Sequence, residues 1–159
     1  MKNFIIGLFV AVIVIILDQY SKITIFTYLY SQNTRELIIF PFFNLVIVYN
    51  TGVSFGMFNS IVYGDIILSG IAILIAIFLI IWMWKANKIY LNIALGLIIG
   101  GAIGNIIDRI LYGAVSDFLD FHIAEYHWPA FNLADSFVFI GVAMILLENV
   151  IIKKEKKNV

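Results

Sequence analysis

Four apolar stretches limit what this chain can fold into more than any other feature. They cover roughly residues 4–28, 61–84, 91–109 and 133–152, and about 20 apolar residues are enough for a helix to cross a bilayer. In hydrocarbon every backbone N–H and C=O must be paired within its own segment or in a closed barrel, so stretches of this length read as helices. The composition agrees: 63% of the chain is hydrophobic and only 13% is charged, against about a quarter charged in soluble domains. The expected fold is a membrane α-helical one. Residues 1–159 form a single integral-membrane domain with four transmembrane helices.

The placement of charge sets the orientation. Lysines gather at Lys2, at Lys85 and Lys88, and at Lys153, Lys154, Lys156 and Lys157. The first and third connections carry only Arg35 and, at a helix end, Arg109. The excess of basic residues on the inner side then predicts cytoplasmic termini, a cytoplasmic turn near 85–90, and long connections outside. The chain has no cysteine, so disulfides, thiolate ligands and a cysteine nucleophile are excluded. His122 and His127 are its two histidines and lack H-E-x-x-H spacing, so no metal or cofactor is expected. No basic patch with interleaved aromatics points to nucleic acid.

The first stretch starts like a signal peptide, but no small-x-small cleavage site follows and apolar character resumes after Lys22. It reads as a retained helix carrying D-Q-Y-S-K (18–22), with Asp18 and Lys22 on one face at i, i+4. Asp18 then lies about 21 Å beyond Phe4, in the outer part of the bilayer. Residues of about 30–60 hold short β-branched and aromatic runs around Pro41 and an N-T-G turn, and predict a small β-element outside the membrane. Tyr28, Tyr30, Phe40, Phe42 and Phe43 suit the headgroup level. The second stretch, with Ala72, Ala76, Trp82 and Trp84, reads as scaffold.

The third stretch carries Gly96, Gly100 and Gly104, a flat strip on which another helix can pack. At its outer end Asn105, Asp108 and Arg109 share one face, where a local Asp108–Arg109 contact is one reading. Asp117 and Asp120 follow, three residues apart among Val115, Phe118, Leu119 and Phe121, and this piece is expected to lie against the membrane. The fourth stretch opens F-N-L-A-D (131–135). Asn132 is placed as an N-cap and Asp135 as its capping-box partner, which is a structural account of both.

Charge near hydrocarbon costs roughly 2.5–3.5 kcal/mol per residue on insertion scales, so acids at one depth mark chemistry or an ion path. Two carboxylates in a partly desolvated site can share one proton, the neutral acid and the ionised base acting together on a water. No zinc motif, thiol or serine–histidine pair competes, and Ser136 has no histidine base. A protease built on this chain is therefore aspartic by elimination, though composition leaves open which two acids form the pair. A proton-coupled transporter or a structural membrane subunit are the rival readings. A transporter should show two related halves with broken helices at mid-bilayer.

Five blocks in order, D-Q-Y-S-K (18–22), N-T-G-V-S-F-G (50–56), G-G-A-I-G-N-I-I-D-R (100–109), V-S-D-F (115–118) and F-N-L-A-D (131–135), resemble bacterial lipoprotein signal peptidase, signal peptidase II. The resemblance implies an aspartic endopeptidase of the bacterial cytoplasmic (inner) membrane. Such enzymes remove signal peptides from diacylglyceryl-modified prolipoproteins, cutting before the lipidated cysteine. It implies catalytic roles for Asp117 and Asp135. It implies substrate, globomycin-inhibitor or supporting roles for Asp18, Lys22, Asn50, Gly52, Gly101, Asn105, Asp108, Arg109, Val115, Asn132 and Ala134. It further implies an extracytoplasmic β-cradle, a short periplasmic helix near 120–128, contact with membrane lipid, and a monomer. Tyr49 and Val53-Ser54 depart from the family's usual residues. Because Asp135 lies in a first helical turn, where the helix dipole favours negative charge, the expectation is that Asp117 holds the shared proton and Asp135 acts first as base.

Overall fold

A computed structural model of the chain describes residues 1–52 and 64–155. Its elements are α1 (Lys2–Ser31), β1 (Glu36–Phe40), β2 (Phe43–Asn50), α2 (Gly64–Lys85), α3 (Ile89–Tyr112), β3 (Val115–Ile123), β4 (Tyr126–His127) and α4 (Leu133–Glu155). Among the described residues, α1, α2 from Ile67 onward, and α3 are long and apolar enough to cross a membrane. The helix α4 joins them in one bundle. The start of the expected second span, residues 61–63, lies outside the described residues, as do 53–56 of the second block and the last part of the expected β-element.

The bundle is built around α3, which packs against α1, α2 and α4. Ala11, Leu79, Met83, Leu95, Ile98 and Ile99 form its buried core. Outward, Phe9, Ile16, Leu74, Phe78, Phe139 and Leu146 are all exposed. A surface so apolar on every side belongs in hydrocarbon, since leaving each such side chain in water forfeits about 1.5–3 kcal/mol. The glycine strip of α3 receives α1. A Cβ at Gly96 would run into the carbonyl of Gly7, and one at Gly100 would lie 2.7 Å from the carbonyl of Ala11. Gly101 does the same for α4, against the carbonyl of Ala134.

The helix α3 ends at Gly113, whose φ of 70° and N–H···O bond to Arg109 close the last turn and send the chain back as a strand. The four strands form one antiparallel sheet in the order β1-β2-β3-β4. The β-element expected outside the membrane is therefore present, and larger than expected. The short helix expected near 120–128 does not form. Residues 115–123 instead pair with β2 in the register Val48↔Asp117, Tyr49↔Ser116 and Asn50↔Val115, and 126–127 close a hairpin onto 122–123. The unpaired edge of β2 decides this, because it offers ladder hydrogen bonds to a run rich in β-branched and aromatic residues. The two-residue period of β3 puts Asp117 and Asp120 on opposite faces of the sheet.

Candidate active site

Asp117 enters the site from β3 and Asp135 from the first turn of α4. Asn132 lies between them and is fully buried. Its side-chain amide donates to Asp117 Oδ1 at 2.7 Å, and its Oδ1 accepts the Asp135 backbone N–H at 3.0 Å. The Asn132 N–H donates in turn to Asp135 Oδ2 at 3.2 Å. This is the capping box read from the sequence. It occupies only one oxygen of Asp135, while the other accepts from Asn105 Nδ2 at 2.8 Å. Capping alone therefore does not account for Asp135.

Asp117 is 2% exposed, and its second oxygen accepts from Asn50 Nδ2 at 3.1 Å. Burial first, then the nearby charge of Asp135, push its carboxyl up to about 7, against the pull of the amide bonds from Asn50 and Asn132. Asn50 is itself held, its Oδ1 accepting from Gly52 N–H at 3.1 Å. Arg109 reaches the Gly52 carbonyl from α3 at 3.5 Å.

Behind the two acids lies a buried ion cluster. Lys22 Nζ is 2.7 Å from Asp18 Oδ2 and 3.0 Å from Asp108 Oδ2, and it donates to Asn105 Oδ1 at 3.1 Å. Asp108 thus faces Lys22 across the helix interface, and it is Lys22, from another helix, that pairs with it. Asp18 Oδ1 accepts the Ala134 N–H at 2.9 Å, and Asp108 Oδ2 the Ser116 N–H at 2.9 Å. Val115 and Ala134 are buried beside the two candidate acids, and Gly101 lets α4 close onto α3.

All thirteen residues singled out from the sequence therefore lie in or against one constellation. Sequence reasoning passes over Gln19 and Ser116. Gln19 is the second residue of the D-Q-Y-S-K block, and its amide donates to Asp108 Oδ1 at 2.9 Å and to the Gly104 carbonyl at 3.2 Å. A polar residue beside Asp18 on an otherwise apolar helix was the available signal. Asp120 stands apart. It bonds Asn44 at 3.2 Å and lies 2.9 Å from His127 Nδ1 on the other face of the sheet. Among the described residues no group of three or more histidine, cysteine or acidic side chains could hold a metal ion.

A largely apolar cavity of about 730 Å³ opens beside Asp135, walled by Trp128, Phe131, Ser136, Phe139 and Val142 among others. Asp135 thus has the buried amide of Asn105 on one side and an apolar groove on the other. Two buried carboxyl groups so placed can act chemically as an acid and a base on a water.

The family model for signal peptidase (SPase) II matches residues 10–151. The chain is 40% identical over 151 residues to a lipoprotein signal peptidase of Methylobacterium sp. (strain 4-46), covering 94% of this chain and 92% of the relative. It is 45% identical over 143 residues to one from Paraburkholderia phymatum, covering 87% and 84%, and 37% identical over 160 residues to one from Pelagibacter ubique, covering 99% and 95%. In fold it is similar to a bacterial membrane enzyme structure obtained by the in meso method at 2.3 Å resolution. That match has a TM-score of 0.75 and 30% identity, and spans 96% of this chain and 90% of the other.

Proposed function

We propose that this chain, which belongs to the signal peptidase II family, cleaves its substrates with an aspartic pair formed by Asp117 and Asp135. As a member of that family it is a membrane peptidase that removes signal peptides from prolipoproteins. Family membership sets aside the transporter and structural-subunit readings.

The observation that carries the aspartic assignment is that both acids are held by one buried residue, Asn132, where β3 meets α4. In this scheme Asp117 begins protonated and Asp135 ionised. Asp135 takes a proton from water as the oxygen attacks the scissile carbonyl carbon, and Asp117 gives its proton to the carbonyl oxygen. The tetrahedral diol then collapses. Asp135 passes its proton to the leaving nitrogen, the C–N bond breaks, and Asp117 recovers a proton from the diol. Products are a carboxylic acid and an amine, and both acids return to their starting states.

The scissile bond lies before a diacylglyceryl-modified cysteine, with the lipid against the apolar groove beside Asp135. Asn50, Gly52 and Arg109 border the substrate, where a globomycin-type inhibitor also binds. The protein works as a monomer in the inner membrane, with α4 as the fourth span, both termini cytoplasmic and the site near the outer leaflet. Lysines at 2, 85 and 88 support that orientation. Purified Asp117→Asn and Asp135→Asn proteins, inserted in lipid and given lipidated precursor, are each expected to lose cleavage. Turnover by either one would reassign the pair.

A further inference from the structure

Asp117 and Asp135 come from different elements, so something must hold β3 and the start of α4 at a fixed separation. The residue before each acid has its backbone N–H gripped by a buried carboxylate. Ser116 donates to Asp108 and Ala134 to Asp18, both at 2.9 Å. These carboxylates are themselves bridged twice. Lys22 joins them at 2.7 and 3.0 Å. The Gln19 amide donates to Asp18 Oδ2 at 3.2 Å and Asp108 Oδ1 at 2.9 Å. Asp18, Lys22 and Asp108 are 0%, 4% and 1% exposed, so two carboxyl groups are held against one lysine out of reach of water. Such carboxylates repel unless donors hold them together.

We propose that Gln19 is a positioning residue for the hydrolysis. With Lys22 it fixes the distance between Asp18 and Asp108, and their grips on Ala134 and Ser116 transmit that distance to the Asp135–Asp117 pair. The inference rests on the aspartic reading above and adds the device that sets its spacing. Gln19 is suited to this because it bridges without adding charge, its two N–H groups being shared among Asp108, Asp18 and the Gly104 carbonyl of α3. A merely structural Gln19 would pin α1 to α3 and do nothing to the acids.

Gln19→Met keeps the side-chain length and net charge while removing the amide. The test is kcat and KM across pH for the full-length variant in lipid with lipidated precursor. The groups that face the pair, Asp18 and Lys22 from α1 and Asp108 and Arg109 from α3, all remain. The expected result is a fall in kcat of roughly tenfold to a hundredfold, the range for small misplacements of reacting groups, with KM little changed. The two limbs of the pH–kcat profile should also draw together, because the interaction between two carboxylates weakens as they separate. Should Gln19→Met not insert, Gln19→Asn keeps an amide that is too short to reach both carboxylates, and the same changes are expected. Unchanged kcat, or a lower kcat with the limbs in their original places, refutes the positioning role. Turnover by Asp117→Asn or Asp135→Asn would instead defeat the aspartic reading itself, so the two failures are distinguishable.

Discussion

Asn132 donates its side-chain amide to Asn105 Oδ1 at 3.1 Å, and this one contact orients both amides. Asn105 Oδ1 also accepts from Lys22, so its Nδ2 must face Asp135. Asn132 Nδ2 is shared between Asn105 and Asp117, which leaves its Oδ1 for the Asp135 N–H. Each candidate acid therefore receives an amide N–H whose direction is set by the partner amide and by a buried lysine.

Asn105→Leu removes the donor to Asp135 and takes one acceptor each from Lys22, which keeps Asp18 and Asp108, and from Asn132, which keeps Asp117. The expected outcome is a loss of about a hundredfold in kcat, the lower end of what positioned acid–base groups contribute. Asn132→Ala should cost more, since it takes one donor from Asp117 and the acceptor from the Asp135 N–H, and with the latter removes a helix cap that contributes about 1 kcal/mol. Single-turnover cleavage of lipidated precursor measures the first effect, and thermal unfolding of the variant in lipid measures the second. Near-normal cleavage by Asn132→Ala would mean the acids are held by something else.

The pH dependence follows from Asp117. Its carboxyl, pushed from an ordinary 3.8 to about 7, keeps its proton through mildly acidic pH. The form with Asp117 as acid therefore exists below about 7 and disappears above it. The basic limb of kcat/KM should bend near 7 and then fall by a factor of ten per pH unit. The same shift has a stability consequence. The folded state binds this proton more tightly than the unfolded one, so its contribution is complete below 3.8 and is lost as pH rises through about 7. Asp117→Asn should remove that slope from the unfolding temperature. Activity that climbs steadily through pH 8 is incompatible with Asp117 as the acid.

Gly104 inside α3 and Gly113 at its C-terminal cap should differ in their effect on cleavage. A Cβ at Gly104 would sit 2.5 Å from Asp18 Oδ2, so Gly104→Ala must displace a carboxylate that already bonds Lys22 and Ala134. Overpacking of this kind costs about 1–3 kcal/mol, and cleavage should fall with it. Gly113 has open space around it and a φ of +70°, so Gly113→Ala pays only for the left-handed conformation, about 1–2 kcal/mol, with kcat per folded molecule unchanged. Paired unfolding and cleavage measurements on the two variants separate the effects.

Much of this was legible because lipid imposes a simple grammar. Long apolar runs had to be helices, and Gly96, Gly100 and Gly104 had to meet another helix. The capping box at Asn132 and Asp135 was equally local. What sequence could not show were contacts between distant elements. Asp108 stands next to Arg109 in the chain, yet its ion-pair partner is Lys22, because helix packing brings α1 within reach of α3. The resemblance implies a short helix near 120–128, whereas pairing with β2 makes the segment a strand and turns Asp117 and Asp120 to opposite faces of the sheet.

That separation can be tested at Asp120. It accepts from Asn44 and contacts His127 across the sheet, and its face is the one opposite Asp117. Asp120→Ala removes one acceptor from Asn44, which keeps Glu36, and one from the exposed His127, at a cost of about 0.5–1.5 kcal/mol per hydrogen bond. The unfolding temperature should drop while kcat of the folded protein stays near wild type. Loss of cleavage as complete as for Asp117→Asn would place Asp120 in the reacting pair.

The apolar groove beside Asp135 offers a different kind of test. Its walls include Trp128, Phe139 and Val142 around about 730 Å³, room for hydrocarbon but with little to hold a polar chain. If lipid binding there delivers the scissile bond to the acids, filling the groove should weaken binding and leave the chemical step alone. Val142→Trp places a ring in the wall without touching Asp117 or Asp135. Lost uniform binding raises KM with kcat unchanged, and that is the expected signature with lipidated precursor. An unlipidated precursor of the same sequence should be a poor substrate for the wild-type protein and should respond little to Val142→Trp. Equal turnover of the two precursors would show that the groove does not read the lipid.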